Sequence, residues 1–283
     1  MVQVLYGSEI ATKIKQDLKA EVDSLAAKGK RIPTLCVILV GNDAASMSYV
    51  KGKEKACVEI GFNSKMISLD ANVSQEELIN VVEENNMDDN IDGILVQLPL
   101  PKHINEREVI GHINPSKDVD GLHPLNIASL YASYEGFVPC TPLGIMEILK
   151  QAHVDLSSKH VVVVGRSILV GAPVSRLALN QNATVTICHS YTNNLEEITS
   201  QADILIVCVG KAKMIQAKHI KENAVVIDVG VNRTQEGKLC GDVDFENVKD
   251  KCSIITPVPK GVGPMTICML LKNTLKAYYI KES

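Results

Sequence analysis

The sequence predicts an α/β protein of two domains, and three observations predict it. Apolar runs rich in Val and Ile recur at strand length, near 34–40, 93–97, 161–164, 183–188, 202–209, 224–229 and 252–255. Segments of helical period lie between many of them, and such alternation makes a parallel or mostly parallel sheet. At 283 residues the chain exceeds the usual size of one domain and can bury a large core.

The elements follow in order. Ser8 is placed to cap a helix whose apolar residues Ile10, Ile14, Leu18, Val22 and Leu25 fall on one stripe. The strand over 34–40 stops at Gly41-Asn42-Asp43, and a helix over about 44–60 ends at Gly61 as its C-terminal cap. Ser74-x-x-Glu77 has the form of a capping box and opens a shorter helix. The strand over 93–97 ends in Leu98-Pro99-Leu100-Pro101. Thr141-Pro142 reads as a cap followed by a first-turn proline, starting a helix to about Ala152. The domain change is expected just before it, giving a first domain over 1–138 and a second over 139–265. After the strand over 252–255, the Pro- and Gly-rich loop 256–265 leads into a last helix, Thr266 to about Tyr279, expected to return to the first domain.

Composition narrows the function class. Hydrophobic residues make up 46% and charged residues 22% of the chain, as in soluble globular proteins. A net charge of -4 and a pI near 6.0 argue against nucleic-acid or membrane-surface partners, which require a basic face. No apolar run reaches the ~20 residues that span a bilayer, and the start of the chain lacks the pattern of a signal peptide. The eight cysteines form no C-x-x-C pair and several lie in apolar segments, so free thiols in the cytoplasm are expected. The seven histidines have no metal-ligand spacing, and no metal is expected.

The most informative segment is Val161-Val-Val-Val-Gly165-Arg166-Ser167-Ile-Leu-Val-Gly171-Ala-Pro173. A buried parallel strand runs into a sharp glycine turn, and a second glycine lets the next helix sit close. The helix's free N–H groups and positive dipole end then face the turn, where a phosphate can dock. Ser167 replaces the middle glycine of the G-x-G-x-x-G fingerprint, so the segment alone also fits an ordinary strand–helix turn. The following strand ends at Cys188-His189-Ser190, and no carboxylate lies between Thr184 and Asn194 to take ribose hydroxyls as in NAD sites. Arg166 and Ser190 instead supply a cation and a hydroxyl suited to a 2′-phosphate, which makes the site NADP-type; the alternative for Arg166 is a solvated surface cation. Gly230-Val231, after the strand over 224–229, is where backbone could approach a nicotinamide.

Four residues of the first half can do chemistry. Tyr49 and Lys53 stand one turn apart on one helix face, and a lysine serves as a base when burial or neighbouring cations lower its pKa. Spacing alone equally allows a lysine-rich solvated face. Gln97 ends a buried strand, where a neutral amide can orient an amine or simply bond loop backbone. Asp120, at a glycine turn, can accept paired N–H bonds from a heterocycle edge or make an Asx turn.

Taken together, Tyr49-Val-Lys-Gly-Lys53, Gly93-Ile-Leu-Val-Gln-Leu-Pro-Leu-Pro101, Lys117-Asp-Val-Asp-Gly121, Pro139-Cys-Thr-Pro142, the Gly165 segment, Asp228-Val-Gly-Val-Asn232, Gly241-Asp-Val-Asp244 and Thr256-Pro-Val-Pro-Lys-Gly-Val-Gly-Pro-Met-Thr266 resemble the bifunctional methylenetetrahydrofolate dehydrogenase/cyclohydrolase family. The motifs run in the family's order over essentially the whole chain. The resemblance implies an N-terminal α/β catalytic domain and a C-terminal Rossmann-like NADP-binding domain with a cleft between them. It implies oxidation of 5,10-methylenetetrahydrofolate with NADP and hydrolysis of the product to 10-formyltetrahydrofolate, by a homodimer. Lys53 would be the catalytic lysine, Tyr49 would pack on the folate, Gln97 would hold and tune Lys53, and Asp120 would bind the pterin. Gly165, Arg166, Ser167, Ser190 and Val231 would contact NADP. Leu98, Gly261, Val262, Gly263, Pro264 and Thr266 would line the folate site. Lys260 stands where the family usually has a second glycine, and its cation would serve an anionic glutamate tail. Competing readings are a short-chain or amino-acid dehydrogenase and a non-catalytic NADP sensor. In short-chain dehydrogenases the Tyr-x-x-x-Lys pair follows the glycine turn, whereas here it precedes it by a domain, and a sensor leaves Tyr49, Lys53, Gln97 and Asp120 without convergent roles.

Overall fold

A computed structural model describes residues 2–234 and 236–283, with Ala45 as backbone only. In chain order the elements are β1 (Gln3–Val4), α1 (Gly7–Ala27), β2 (Thr34–Val40), α2 (Ala44–Ile60), β3 (Asn63–Leu69), α3 (Gln75–Met87) and β4 (Gly93–Val96). There follow α4 (Glu106–His112), α5 (Pro124–Ala132), α6 (Cys140–Gln151), β5 (His160–Val164), α7 (Gly171–Asn180), β6 (Thr184–Cys188), α8 (Leu195–Thr199) and β7 (Ile204–Val207). The chain ends with β8 (Ala224–Asp228), β9 (Asn232–Arg233), β10 (Leu239–Cys240), α9 (Phe245–Val248), β11 (Cys252–Ile255) and α10 (Gly263–Glu282). Two compact units emerge, one of Lys13–Cys140 with Ile267–Ser283, the other of Met1–Thr12 with Thr141–Thr266.

The first unit is built on a three-stranded parallel sheet in the order β3-β2-β4. β2 is central and its residues Leu35 to Ile38 are wholly buried, which is why it reads as an unbroken apolar run. α3 and α4 cover one side through Leu78, Val82, Val109 and Ile113, packed on Cys36, Ile38 and Ile94. Each such aliphatic side chain contributes about 1.5–3 kcal/mol by leaving water. Gly61 has φ 85° and closes α2 as expected, and Ser74 and Glu77 form the reciprocal capping box of α3. Lys117 takes over the other end of that helix: its ammonium donates to the carbonyls of Asn85, Asn86 and Asp88 at 3.2, 2.7 and 2.8 Å. A cation among the last carbonyls of a helix satisfies acceptors the helix itself leaves open. At the sheet's edge, buried Asp92 receives both Nη atoms of Arg31, at 2.8 and 2.7 Å, and the Thr34 N–H.

The other unit holds a six-stranded parallel sheet in the order β1-β11-β8-β7-β5-β6. The strand order reverses between β5 and β7, and in such sheets ligands bind outside the carboxyl ends of the strands at that switch point. Val161 to Val164 are buried on both faces, consistent with helices flanking the sheet.

Five sequence expectations change. Thr141 is not a cap, because α6 already begins at Cys140. The first residues do not stay with 13–138, because β1 pairs with β11 and joins the six-stranded sheet. Ser8 is not a cap: α1 begins at Gly7, and the Ser8 N–H donates to the Lys260 carbonyl at 3.1 Å. The strand β3 was not expected from the sequence; as an edge strand it is half exposed and mixes Ser and Lys with Met and Ile. The last helix starts at Gly263 and not at Thr266, so Gly263, Pro264 and Met265 belong to its first turn rather than to the loop. Proline fits there because first-turn N–H groups have no intrahelical acceptor.

Candidate active site

α2 places Tyr49 and Lys53 on one face, and their environments differ sharply. The Tyr49 side chain is 51% exposed, whereas Lys53 is only 8% exposed. The ammonium donates to Gln97 Oε1 at 2.8 Å. Gln97 sits directly after β4, and its Nε2 donates to the Leu98 carbonyl at 2.6 Å. That second bond fixes the amide with its oxygen towards Lys53. Burial lowers the Lys53 pKa, and the nearby Asp120 carboxylate partly restores the charged form. A neutral amide acceptor leaves the amine deprotonable where a carboxylate would not.

Asp120 ends the Lys117–Asp118–Val119–Asp120 turn, and the three polar residues have separate duties. Lys117 closes α3, and Asp118 accepts the His123 N–H and Asn126 Nδ2, each at 2.8 Å. Asp120 is half-buried near Lys53 and Cys140. The chain can turn there because Gly121 has φ 73°, and a Cβ on it would lie 2.5 Å from the Val138 carbonyl carbon. Cys140 is a neighbour that sequence reasoning left unassigned. Its buried thiol donates to the Val119 carbonyl at 3.3 Å, and burial with the adjacent Asp120 pushes its pKa well up, so it stays a neutral thiol. Asn273 of α10 bonds the Val119 and Val138 carbonyls at 2.9 and 3.2 Å, fixing the same turn. Only the Pro139-Cys-Thr-Pro142 motif hinted at the first, and nothing local hinted at the second.

In the six-stranded unit, Gly165 follows β5 at the switch point with φ 130°. A Cβ on it would stand 2.5 Å from the Cys208 carbonyl oxygen, and one on Gly171 would stand 2.2 Å from the Gly165 carbonyl oxygen. Both glycines are therefore required for the strand, turn and helix α7 to close up. Arg166, Ser167 and Ser190 are exposed around this turn, and Val231 is 50% exposed after β8. The Arg166 guanidinium lies 5.8 Å from the ring centre of Tyr191. A sharp glycine turn leading to a helix N-terminus, flanked by a cation and hydroxyls, fits a dinucleotide carrying an extra phosphate.

Gly261 and Val262 are buried just before α10. A Cβ on Gly261 would meet the Pro257 carbonyl at 2.3 Å, and Thr266 pairs its hydroxyl with that of Thr141 at 2.9 Å. Lys260 is exposed with φ 79°, a left-handed conformation in a non-glycine residue. Among the described residues no cluster of His, Cys, Asp or Glu could hold a metal ion, and no helix is long and apolar enough to cross a membrane.

Residues 5–120 match the model of the tetrahydrofolate dehydrogenase/cyclohydrolase catalytic domain, and residues 139–282 match that of the same family's NAD(P)-binding domain. The chain belongs to the tetrahydrofolate dehydrogenase/cyclohydrolase family. A relative named bifunctional protein FolD, from Oceanobacillus iheyensis, is 55% identical over 98% of this chain and 97% of its own. A Campylobacter jejuni FolD methylenetetrahydrofolate dehydrogenase/cyclohydrolase superposes with a TM-score of 0.97 at 47% identity, covering 99% of each chain. The Trypanosoma brucei dehydrogenase-cyclohydrolase, solved with NADP and an inhibitor, has a TM-score of 0.95 at 38% identity over 99% of this chain and 98% of its own.

Proposed function

We propose that the chain oxidises 5,10-methylenetetrahydrofolate to 5,10-methenyltetrahydrofolate with NADP and then hydrolyses it to 10-formyltetrahydrofolate. In a member of this family, the observation that carries the reading is a buried lysine whose amine is held by a neutral amide, with a carboxylate close by. Tyr49 packs against the folate, and Asp120 accepts N–H bonds from the pterin, whose amidine-like edge matches a carboxylate. Leu98, Gly261, Val262, Gly263, Pro264 and Thr266 complete the folate contacts.

Gly165, Arg166, Ser167, Ser190 and Val231 hold the cofactor, with Arg166 and Ser190 on the 2′-phosphate. Bound NADP supplies a hydride acceptor. The one-carbon unit lies between two nitrogens whose lone pairs expel that hydride, so the first step mainly needs alignment. The second step needs proton transfer: water adds to the methenyl carbon, one C–N bond opens, and a proton must leave the water and reach the departing nitrogen. Lys53 moves that proton, and Gln97 holds its amine in place without fixing it as an ammonium. The product is a formyl donor of the kind purine biosynthesis consumes. A cytoplasmic homodimer acting on a small-molecule folate, with no nucleic-acid or membrane partner, completes the reading, following the family resemblance, cysteine spacing and charge.

Lys53→Met keeps the length and apolar stem while removing the amine. Acid–base groups contribute about 10²–10⁴-fold, so cyclohydrolase activity, followed as loss of methenyl absorbance, falls into that range. Retention of most of it removes lysine from the mechanism.

A further inference from the structure

Two carboxylates that the proposed mechanism does not use lie buried under the cofactor side of the six-stranded sheet. Asp228, the last residue of β8, is 3% exposed, and Asp242, just past β10, is 0% exposed. The β9–β10 hairpin brings them together: Asp242 N–H donates to Asp228 Oδ1 at 2.9 Å.

Between them they bind the backbone of two loops. Asp228 also accepts the Gly230 N–H at 3.0 Å and the Val243 N–H at 3.0 Å. Asp242 accepts four donors: Val209 N–H at 2.7 Å, Gly210 N–H at 3.0 Å, Lys211 N–H at 2.8 Å and Asn232 Nδ2 at 2.8 Å. The packing leaves no slack. A Cβ on Gly230 would stand 2.2 Å from Asp242 Cγ, and one on Gly241 would stand 1.8 Å from Asp228 Oδ2. Val231 is thus bracketed, its predecessor tied to one carboxylate and its successor to the other. Asp242 ties the loop after β7, the strand that borders the switch point, to the same centre.

We infer that Asp228 and Asp242 are positioning residues for hydride transfer, setting the Val231 loop and the loop after β7 in the one arrangement that presents Val231 to the nicotinamide. This rests on the reading above, in which Val231 meets the cofactor. Burying neighbouring carboxylates is costly: burial pushes the Asp228 carboxyl up to about 7 although three N–H groups bond it. What the pair gains is several N–H directions fixed at once, which apolar packing does not supply.

The reaction contains its own control, because the cyclohydrolase step uses Lys53, Gln97 and Asp120 of the other unit. Asp242→Asn is isosteric, but its NH₂ faces donors where an acceptor stood. We expect the dehydrogenase kcat with NADP to fall tenfold or more. The KM for NADP should change less than kcat, since Arg166 and Ser190 are untouched. Hydrolysis of supplied methenyltetrahydrofolate should stay within twofold. Asn232→Ala removes one donor and leaves Asp242 its three backbone N–H partners, so a smaller loss confined to the dehydrogenase, about threefold, is expected. If Asp242→Asn does not fold, Asn232→Ala decides by the same split. Equal losses in both activities, or an unchanged dehydrogenase, overturn the inference. Unmodified protein that turns over no methylenetetrahydrofolate overturns the functional reading instead.

Discussion

Replacing Gln97 with glutamate tests how Lys53 is tuned. The change keeps size and shape but puts a full negative charge on the atom that accepts from the Lys53 ammonium at 2.8 Å. Coulomb's law at that separation, with an effective dielectric of about 20, gives about 6 kcal/mol in favour of the ammonium. Gln97 is half-buried, so solvent screens part of this. Even half of it, about 3 kcal/mol, shifts the balance between free amine and ammonium about 100-fold towards the ammonium. The sign is opposite to that of burial, which now lowers this pKa. Cyclohydrolase activity of Gln97→Glu should therefore fall about 100-fold at neutral pH and recover as pH rises. Hydrolysis of methenyltetrahydrofolate followed across pH checks it. A profile that superimposes on that of the unmodified protein would show that the amine's protonation does not limit the reaction.

Three further changes probe other links. Lys260→Gly relieves a left-handed backbone at φ 79°; a strain of about 1–2 kcal/mol set against about 0.5–1 kcal/mol of glycine entropy predicts a net gain of roughly 0.5–1 kcal/mol in urea unfolding. The same variant should bind polyglutamyl folate more weakly if the Lys260 cation serves the tail, and unchanged affinity removes that role. Arg31→Ala leaves Asp92 buried without its two-pronged partner; because Arg31 is itself part-exposed, we expect a loss of about 2 kcal/mol rather than the full cost of a buried charge, read from the urea midpoint. Arg166→Ala should raise the KM for NADP at least tenfold while leaving that for NAD within about twofold, one charge-assisted pair being worth about 1.5–3 kcal/mol. Equal change with both cofactors would place Arg166 away from the 2′-phosphate.

The buried strands were legible because β2, β5, β7 and β8 are apolar on both faces and contain few alternatives. The Gly61 cap and Ser74 capping box were legible because their chemistry is local. β3 was not, because an exposed edge tolerates Ser and Lys in place of a clean apolar signature. Nor was the end of the Ser8 reading, since the acceptor for its N–H, Lys260, comes from the far end of the chain. In the site, spacing put Tyr49 and Lys53 on one face but could not tell a solvated lysine from a buried one. That distinction lies in the burial of Lys53 and in its bond to Gln97, which arrives from another element. The paired carboxylates of Asp228 and Asp242 depend on hairpin register and were invisible as a pair for the same reason.

The two-residue strand at Gln3–Val4 pairs with Ile254 and Ile255. Neither half of the molecule is consequently one continuous stretch of polypeptide: each is assembled from an early and a late piece. Severing the gene between codons 138 and 141 would yield two fragments that each lack a part made by the other. During translation Gln3 and Val4 are made long before Ile254 and Ile255, the residues they pair with. The six-stranded sheet must therefore wait for β11 to be made before β1 can close its edge.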